Sequence, residues 1–476
     1  MNFITRIQKV TIRNLKNVGF GEIRFTCNTK EDIFEAGSDI LGMYGQNGSG
    51  KTTLIFALEI LSQLTSGKKL WKDANKFIKI GASDATVCYE FSVGYESGDK
   101  FYVRYEVTLK EKLKEEQMEE VTEQSPESVV YVEKEKLSYR KINGNKGNRF
   151  ISIIDYDFHK DTIFEPDTRF REFISNDKQL TDELRYMKVV SYKEGLSYIF
   201  TIGRINNIRD RQGFSDEMIS IMDAIHMFGM MKLFVLSNVQ ASIVNANIVL
   251  PMIFHFIDND KKVYRTIVVR IKLTDETLVP QKIYNLMAVR FEIIDKVISK
   301  LIPNMSLKIA NKGNKIGENG EPYNIIELIS VRDGKEISVR YESDGIKKLI
   351  YIMYSLIEMY NDPSVTVAID ELDSGVFEYL LGELLSVLEE SAKGQLIFTS
   401  HNLRALEVLN KKNVMFSTTN VNNRYIRFKN IKGTNNLRDV YYQDILLGGQ
   451  DECVYEPTSQ NAIRRAFRSA GGDLNG

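Results

Sequence analysis

Gly45-Gln46-Asn47-Gly48-Ser49-Gly50-Lys51-Thr52 decides how the rest of this chain is read. It fits G-x-x-x-x-G-K-[ST] at every fixed position. Its glycines let backbone amides curl inward around phosphate oxygens, where a Cβ would intrude. The apolar run Asp39 to Tyr44 comes before it, as a buried strand entering such a loop should. After Thr52, Leu54, Ala57, Leu58 and Leu61 recur at helical spacing, so a helix follows and aims its positive end at the phosphates. Lys51 supplies charge to the β- and γ-phosphates, and Thr52 offers a hydroxyl to magnesium. The nucleotide-binding residues expected here are Gly45, Gln46, Asn47, Gly48, Ser49, Gly50, Lys51, Thr52 and Thr53. A chance glycine loop would lack the strand before and the helix after.

A second constellation lies far downstream. Val365 to Ile369 is an apolar strand ending in Asp370 and Glu371. Two carboxylates at the carboxyl edge of a buried parallel strand are costly unless a cation or water uses them, and ligands of open α/β sheets bind at that edge. Asp370 would hold magnesium through water and Glu371 would polarise the attacking water. Alone, the pair reads equally well as a helix start. Gln395 to Phe398 is another apolar strand, and it leads into Thr399-Ser400-His401. A lone histidine is more often structural, but this position suits a γ-phosphate sensor. The expected catalytic residues are Glu371, His401 and Lys51; the expected metal ligands are Thr52 and Asp370.

Working outward, strands are expected over Thr5 to Leu15 and Gly21 to Phe25. From about Thr86 to Ile153 the alternation of Phe101, Val103, Tyr105, Val107 and Leu109 predicts antiparallel sheet. The charged run Lys110 to Glu123 reads as a solvated loop or short hairpin arm. Val129 to Lys141 returns, with a turn at Asn143-Gly144. Asp155 to Ile302 is mostly helical by pattern, with a strand-like Val263 to Leu273 and an amphipathic helix over Asn285 to Leu301. Ser306 to Arg340 alternates again around a turn at Asp333-Gly334. Helices Gly345 to Met359 and Val376 to Glu390 alternate with the two apolar strands. The expectation is an α/β fold: one parallel-sheet head split by a mostly helical insertion. Its parts are 1–153, 154–304, 305–432 and a tail, 433–476. No heptad pattern is sustained, so no long coiled coil is encoded.

Bulk properties narrow the class. Sixty-three basic residues face 64 acidic ones, so net charge makes no case for nucleic acid, although DNA binding through a local groove stays open. Cys27, Cys88 and Cys453 have neither disulfide nor zinc spacing, and the first residues have no apolar signal core. A cytoplasmic protein is expected. The apolar stretch His226 to Ile257 is broken by Lys232, Asn238, Gln240, Asn245, Asn247 and Pro251, so buried helices rather than a membrane span are expected.

Together, the glycine loop, the Asp370-Glu371 strand and Ser400-His401 resemble the Walker A, Walker B and H-loop elements of an ABC ATPase head. Ile7-Gln8-Lys9-Val10-Thr11-Ile12-Arg13-Asn14-Leu15-Lys16 is similar to the opening strand of the RecF, SMC and OLD-like branch. Glu342-Ser343-Asp344-Gly345-Ile346-Lys347-Lys348-Leu349 sits where that family carries its signature, and Ser343 and Gly345 match its S-x-G core. The resemblance covers Thr5 to Leu64 and Tyr341 to Val414. It implies ATP and Mg2+ as ligands, and a homo-oligomer in which ATP is sandwiched between heads, with Ser343 and Gly345 reaching the partner's γ-phosphate. Ordinary helix capping by Ser343 is the plainer alternative. No glutamine can be assigned to the family's Q-loop, and Asp373 matches its D-loop only loosely. Length and signature look similar to ATPase subunits of Septu- and PARIS-like antiphage systems. That implies a sensor or scaffold controlling a separate effector, a nuclease or toxin from a neighbouring gene, released by a phage-derived trigger. A RecF- or SMC-like DNA-repair or DNA-organising ATPase is the alternative.

Overall fold

A computed structural model describes residues 3–25, 37–71, 76–113, 128–142, 149–203, 212–246, 248–258, 263–317, 320–429, 431 and 436–473. In chain order the first half runs β1 (Phe3–Leu15), β2 (Val18–Arg24), β3 (Asp39–Tyr44), α1 (Lys51–Thr65), β4 (Asp84–Tyr95), β5 (Lys100–Leu113), β6 (Ser128–Lys141), β7 (Ile151–Asp157), α2 (Asp167–Ile174), α3 (Lys178–Glu194), α4 (Tyr198–Ile202) and α5 (Asp216–Met227). A π-helical turn, Phe228–Lys232, leads to β8 (Leu233–Leu236), α6 (Asn238–Asn245), β9 (Val249–Asp258), β10 (Val263–Lys272), β11 (Thr277–Pro280) and α7 (Gln281–Leu301). Then come β12 (Met305–Ile316), β13 (Pro322–Arg332), β14 (Lys335–Ser338), α8 (Asp344–Asn361), β15 (Thr366–Ile369), α9 (Glu378–Ser391), β16 (Gln395–Thr399), α10 (Arg404–Val408), β17 (Val414–Ser417), β18 (Tyr425–Ile426), α11 (Leu437–Leu447) and α12 (Gln460–Asp473).

Two six-stranded sheets sandwich α1. One is antiparallel, ordered β2-β1-β4-β5-β6-β7; the other is mainly parallel, ordered β18-β17-β3-β16-β15-β8. Alternation along the parallel strands feeds both faces. Leu41, Met43, Ala368 and Ile397 join Leu54, Leu58 and Leu61 of α1 and the inner face of the antiparallel sheet. Ile40, Tyr44, Val367, Ile369, Leu396 and Phe398 instead pack on α8 and α9 through Ile350, Met353, Leu381 and Leu385. The result is an α/β head with a helix layer on each side of its central sheet.

Two buried side chains bolt the sheets together. Gln395 imitates a backbone unit: its Oε1 accepts from Ile7 N at 2.8 Å and its Nε2 donates to Ile7 O at 2.8 Å and Asp39 Oδ2 at 3.2 Å. The β1–β4 register slips between Ile7 and Lys9, where β1 turns to this partner. Arg6, fully buried, donates to the carbonyls of Lys393 at 2.7 Å and Gly37 at 3.0 Å.

Several expectations need adjusting. Helices do predominate over 154–304, and the region also gives a strand to the head: β8 pairs in parallel with β15 and forms an edge of the central sheet. It also carries the β9–β10 hairpin and β11. A boundary at 153/154 falls inside β7. The charged run is not all loop, because β5 extends to Leu113; residues 114–127 and the Asn143-Gly144 turn lie outside the described residues. The Asp333-Gly334 turn is as expected, with both residues at positive φ (49° and 76°) joining β13 to β14. No helix of the described residues is long and apolar enough to cross a membrane. The longest is α7, at 21 residues.

Candidate functional site

The carboxyl ends of β3, β15 and β16 converge, and their following loops build one site. At β3 the chain turns through Gly45 (φ 145°), Gly48 (φ 78°) and Gly50 (φ 94°). A Cβ at Gly45 would stand 2.1 Å from Ser417 Oγ, so only glycine fits. Gly50 precedes α1 without a side-chain cap, which leaves the first amides of α1 free for an anion. The loop is braced from outside. Ser49 hydrogen bonds to Ser417, Ser417 Oγ donates to Tyr44 O at 3.0 Å, and the Tyr425 hydroxyl donates to Gly50 O at 2.7 Å. Asn17 donates to Gly48 O, and its Oδ1 accepts from Thr53 Oγ1 at 3.3 Å. Gln46 pairs reciprocally with the Glu456 backbone, accepting at 3.0 Å and donating at 3.3 Å.

Lys51 is buried, with its ammonium on Gly45 O at 2.8 Å and Gln46 O at 3.0 Å. Burial pushes its pKa down to about 8 from the ordinary 10.5, against the pull of Asp370, Glu371 and Asp373. In this form it rests on its own loop, ready to exchange two carbonyls for phosphate.

At β15, Asp370 Oδ1 accepts from Thr399 Oγ1 at 2.6 Å and from Thr52 Oγ1 at 3.3 Å. Its Oδ2 is buried without a hydrogen-bond partner among the described residues. Burial, reinforced by the charge of Glu371, raises its pKa, while the Thr399 and Thr52 hydrogen bonds oppose that. An orphaned carboxylate oxygen beside a threonine hydroxyl at the start of α1 fits a hard cation. No group of three or more His, Cys, Asp or Glu among the described residues is placed to hold a metal by itself.

Glu371 has φ 48°, in the left-handed region that a non-glycine L-residue seldom enters without constraint. The constraint is visible. Its N–H donates to Thr399 Oγ1 at 2.7 Å, and its carbonyl accepts from Ser374 N at 3.0 Å and from the buried Lys348 ammonium on α8. Asp373 Oδ2 accepts from His401 N at 3.1 Å and Asn402 N at 2.9 Å, tying the loop after β15 to the loop after β16. The His401 imidazole is exposed. Partial burial and then the Lys51 charge lower its pKa, against the carboxylates of Asp373, Glu371 and Asp370, which favours the neutral ring.

Ser343 caps α8, with its Oγ accepting from Ile346 N at 3.4 Å. Gly345 has an intramolecular reason to be glycine: a Cβ there would lie 1.8 Å from Gly375 O. No hydrogen bond joins either residue to the loop at 45–52 among the described residues, so the site within one chain consists of the loop, the acid pair and His401. Sequence reasoning missed Thr399, Lys348, Asn17, Ser417 and Tyr425. It also missed β8, whose Leu236 O accepts from Asp370 N at 3.0 Å and which leads into α6.

The AAA ATPase domain family matches residues 6–404. No curated protein matches at a significant level. Among solved structures, an SMC head bound to the C-terminal winged-helix domain of ScpA is 13% identical, with 88% of this chain and 97% of that one covered and a TM-score of 0.39. The SMC head domain from Thermotoga maritima is 13% identical, with 89% and 100% covered and a TM-score of 0.38. The recombination mediator RecF is 13% identical, with 86% and 97% covered and a TM-score of 0.34.

Proposed function

The chain belongs to the AAA ATPase domain family, and from that premise we propose that it hydrolyses ATP as an ABC-type head, two copies of which close on the nucleotide. One observation carries this reading. The phosphate loop, Asp370-Glu371 and His401 meet at a single sheet edge, with Asp370 Oδ2 buried and unsatisfied beside Thr52. The loop amides and the open end of α1 take the phosphates, and Lys51 transfers from Gly45 O and Gln46 O to the β- and γ-oxygens. Magnesium held through Thr52 and Asp370 would neutralise charge on the phosphoryl group. Glu371 orients a water for in-line attack and accepts its proton. His401, neutral and facing Lys51, donates to or senses the γ-phosphate. Ser343 and Gly345 would act on the partner's nucleotide; Ser343 and Asp344 at the start of α8 are exposed, which supports this for Ser343, while Gly345 is buried against Gly375.

For the biological output we propose a cytoplasmic, slow, regulatory ATPase. Its nucleotide-dependent oligomer serves as sensor or scaffold for a separate effector, a nuclease or toxin, in antiphage defence. The motif resemblance supports this. The test is solution mass of the Glu371→Gln variant with and without ATP and Mg2+, alone and with its neighbour-encoded protein. The expected result is an ATP-dependent dimer or larger oligomer that retains the neighbour. A dimer that ignores the neighbour and binds DNA in a salt-dependent way would transfer the chain to the repair class. A chain that stays monomeric with ATP would end the sandwich reading.

A further inference from the structure

The carboxy-terminal segment does something the ATPase reading does not require. After α11 the chain returns to the nucleotide loop. Thr419 N donates to Cys453 O at 2.8 Å, Val454 is buried, and Glu456 forms the reciprocal pair with Gln46 inside the loop itself. Three residues later Ser459 caps α12, its Oγ accepting from Ala462 N at 3.2 Å. Every described residue from Glu456 to Ala470 is exposed. Yet α12 is sharply two-faced. Ile463, Ala466, Phe467 and Ala470 recur at helical spacing on one side, while Arg464, Arg465 and Arg468 give the rest its charge. Ile463 is 45% exposed and Phe467 76%, values an apolar stripe keeps only while its partner is missing.

The same molecule carries a surface of matching chemistry. Phe377 and Tyr379 at the start of α9 are 68% and 54% exposed, with ring centroids 5.7 Å apart. Glu378 lies between them, and Asp344 at the start of α8 adjoins them, because Gly345 packs against Gly375. The basic groups beside this patch are already paired: Arg404, over the Tyr379 ring at 4.7 Å, with Glu407, and Lys347 with Asp344 at 3.4 Å, which leaves Glu378 as the acid offered to a partner. Aromatic floor and acidic rim complement the apolar stripe and arginines of α12.

We propose that α12 is a clamp between copies of this chain. Anchored at the phosphate loop of one copy, it lies on the patch beside the signature helix of the second, with Ile463 and Phe467 on Phe377 and Tyr379 and Arg465 against Glu378. This rests on the sandwich reading, in which a phosphate loop faces the partner's Ser343 and Gly345. The strap to Gln46 therefore places α12 at the rim of that same interface, and nucleotide loading and clamping share one loop.

The test uses the full chain in the Glu371→Gln background with ATP and Mg2+. Dimer dissociation constants come from sedimentation velocity, and nucleotide affinity from a fluorescent ATP analogue. Phe467→Glu should weaken the dimer at least tenfold and leave nucleotide affinity of the monomer unchanged. Arg465→Glu should weaken it too, and Glu378→Arg in the same chain should restore it. The substituted side chains are exposed, so the fold is not at risk. If Phe467→Glu dimerises as tightly as the parent, the clamp is wrong and the sandwich stands. If the parent never dimerises with ATP, the sandwich reading falls and the clamp falls with it.

Discussion

The phosphate loop and the acid edge stand at the ends of β3 and β15, with only β16 between them, yet they are built on different principles. The loop gets its shape from missing side chains: Gly45, Gly48 and Gly50 take positive φ without strain, and Asn17 and Tyr425 brace it at the carbonyls of Gly48 and Gly50. The acid edge gets its shape from side chains that are present. Glu371 is an L-residue in the left-handed region, held there by Thr399, Lys348 and the turn to Ser374. A site that must wrap a polyanion needs emptiness and free amides. A site that must aim a carboxylate at one water needs over-determination.

That contrast can be broken at its sharpest point. Gly45→Ala drives a methyl into Ser417 Oγ at a φ alanine avoids, so ATP affinity should fall by about 3 kcal/mol, roughly 100-fold in Kd. Titration with a fluorescent ATP analogue checks it, and near-wild-type affinity would mean the loop is not rigid in the way described. The acid edge should respond in the opposite currency. Lys348→Met removes one of two donors to the Glu371 carbonyl, so kcat should drop about tenfold (~1.4 kcal/mol) while Kd for ATP stays within about twofold. Steady-state hydrolysis beside binding separates the two, and a change in Kd alone would place Lys348 with the loop instead. The smallest effect is set by pH. Bound phosphates favour the Lys51 ammonium and raise its pKa above the value of about 8 in the free chain. Affinity is therefore complete below pH 8 and declines above it, by about tenfold between pH 7 and pH 9. Isothermal titration across that range reads it, and a flat profile would show that Lys51 is not the group that titrates.

The two regions also differ in how far the sequence announces them. The loop is contiguous, so its glycines, its strand and its helix stand together in one window and are legible. The acid pair is legible as a strand end, but its supports are not. Thr399 reads as the last residue of a strand. Lys348 reads as one more solvated charge on an amphipathic helix, until α8 buries its stem and only the Glu371 carbonyl is left for its head. Leu233–Leu236 was hidden in a long apolar stretch, because four successive apolar residues have no period to separate strand from helix. Likewise, nothing local in Glu456 signals Gln46, 410 positions earlier. The part of the site held by contacts between distant residues is the part a single sequence conceals.

The order of the central sheet has a consequence for biosynthesis. β3 is flanked by β16 and β17, and β16 carries Gln395, the residue that clasps Ile7 of β1. A ribosome that has just released residues 45–52 has made a phosphate loop with no sheet to hang it on. Neither neighbour of β3 exists until synthesis has reached β16 at Gln395–Thr399, and β17 follows only at Val414–Ser417. Throughout that interval the nascent chain carries an apolar strand with two open edges, a liability for chaperones to cover. Nucleotide binding thus waits on strands that are made long after the loop itself.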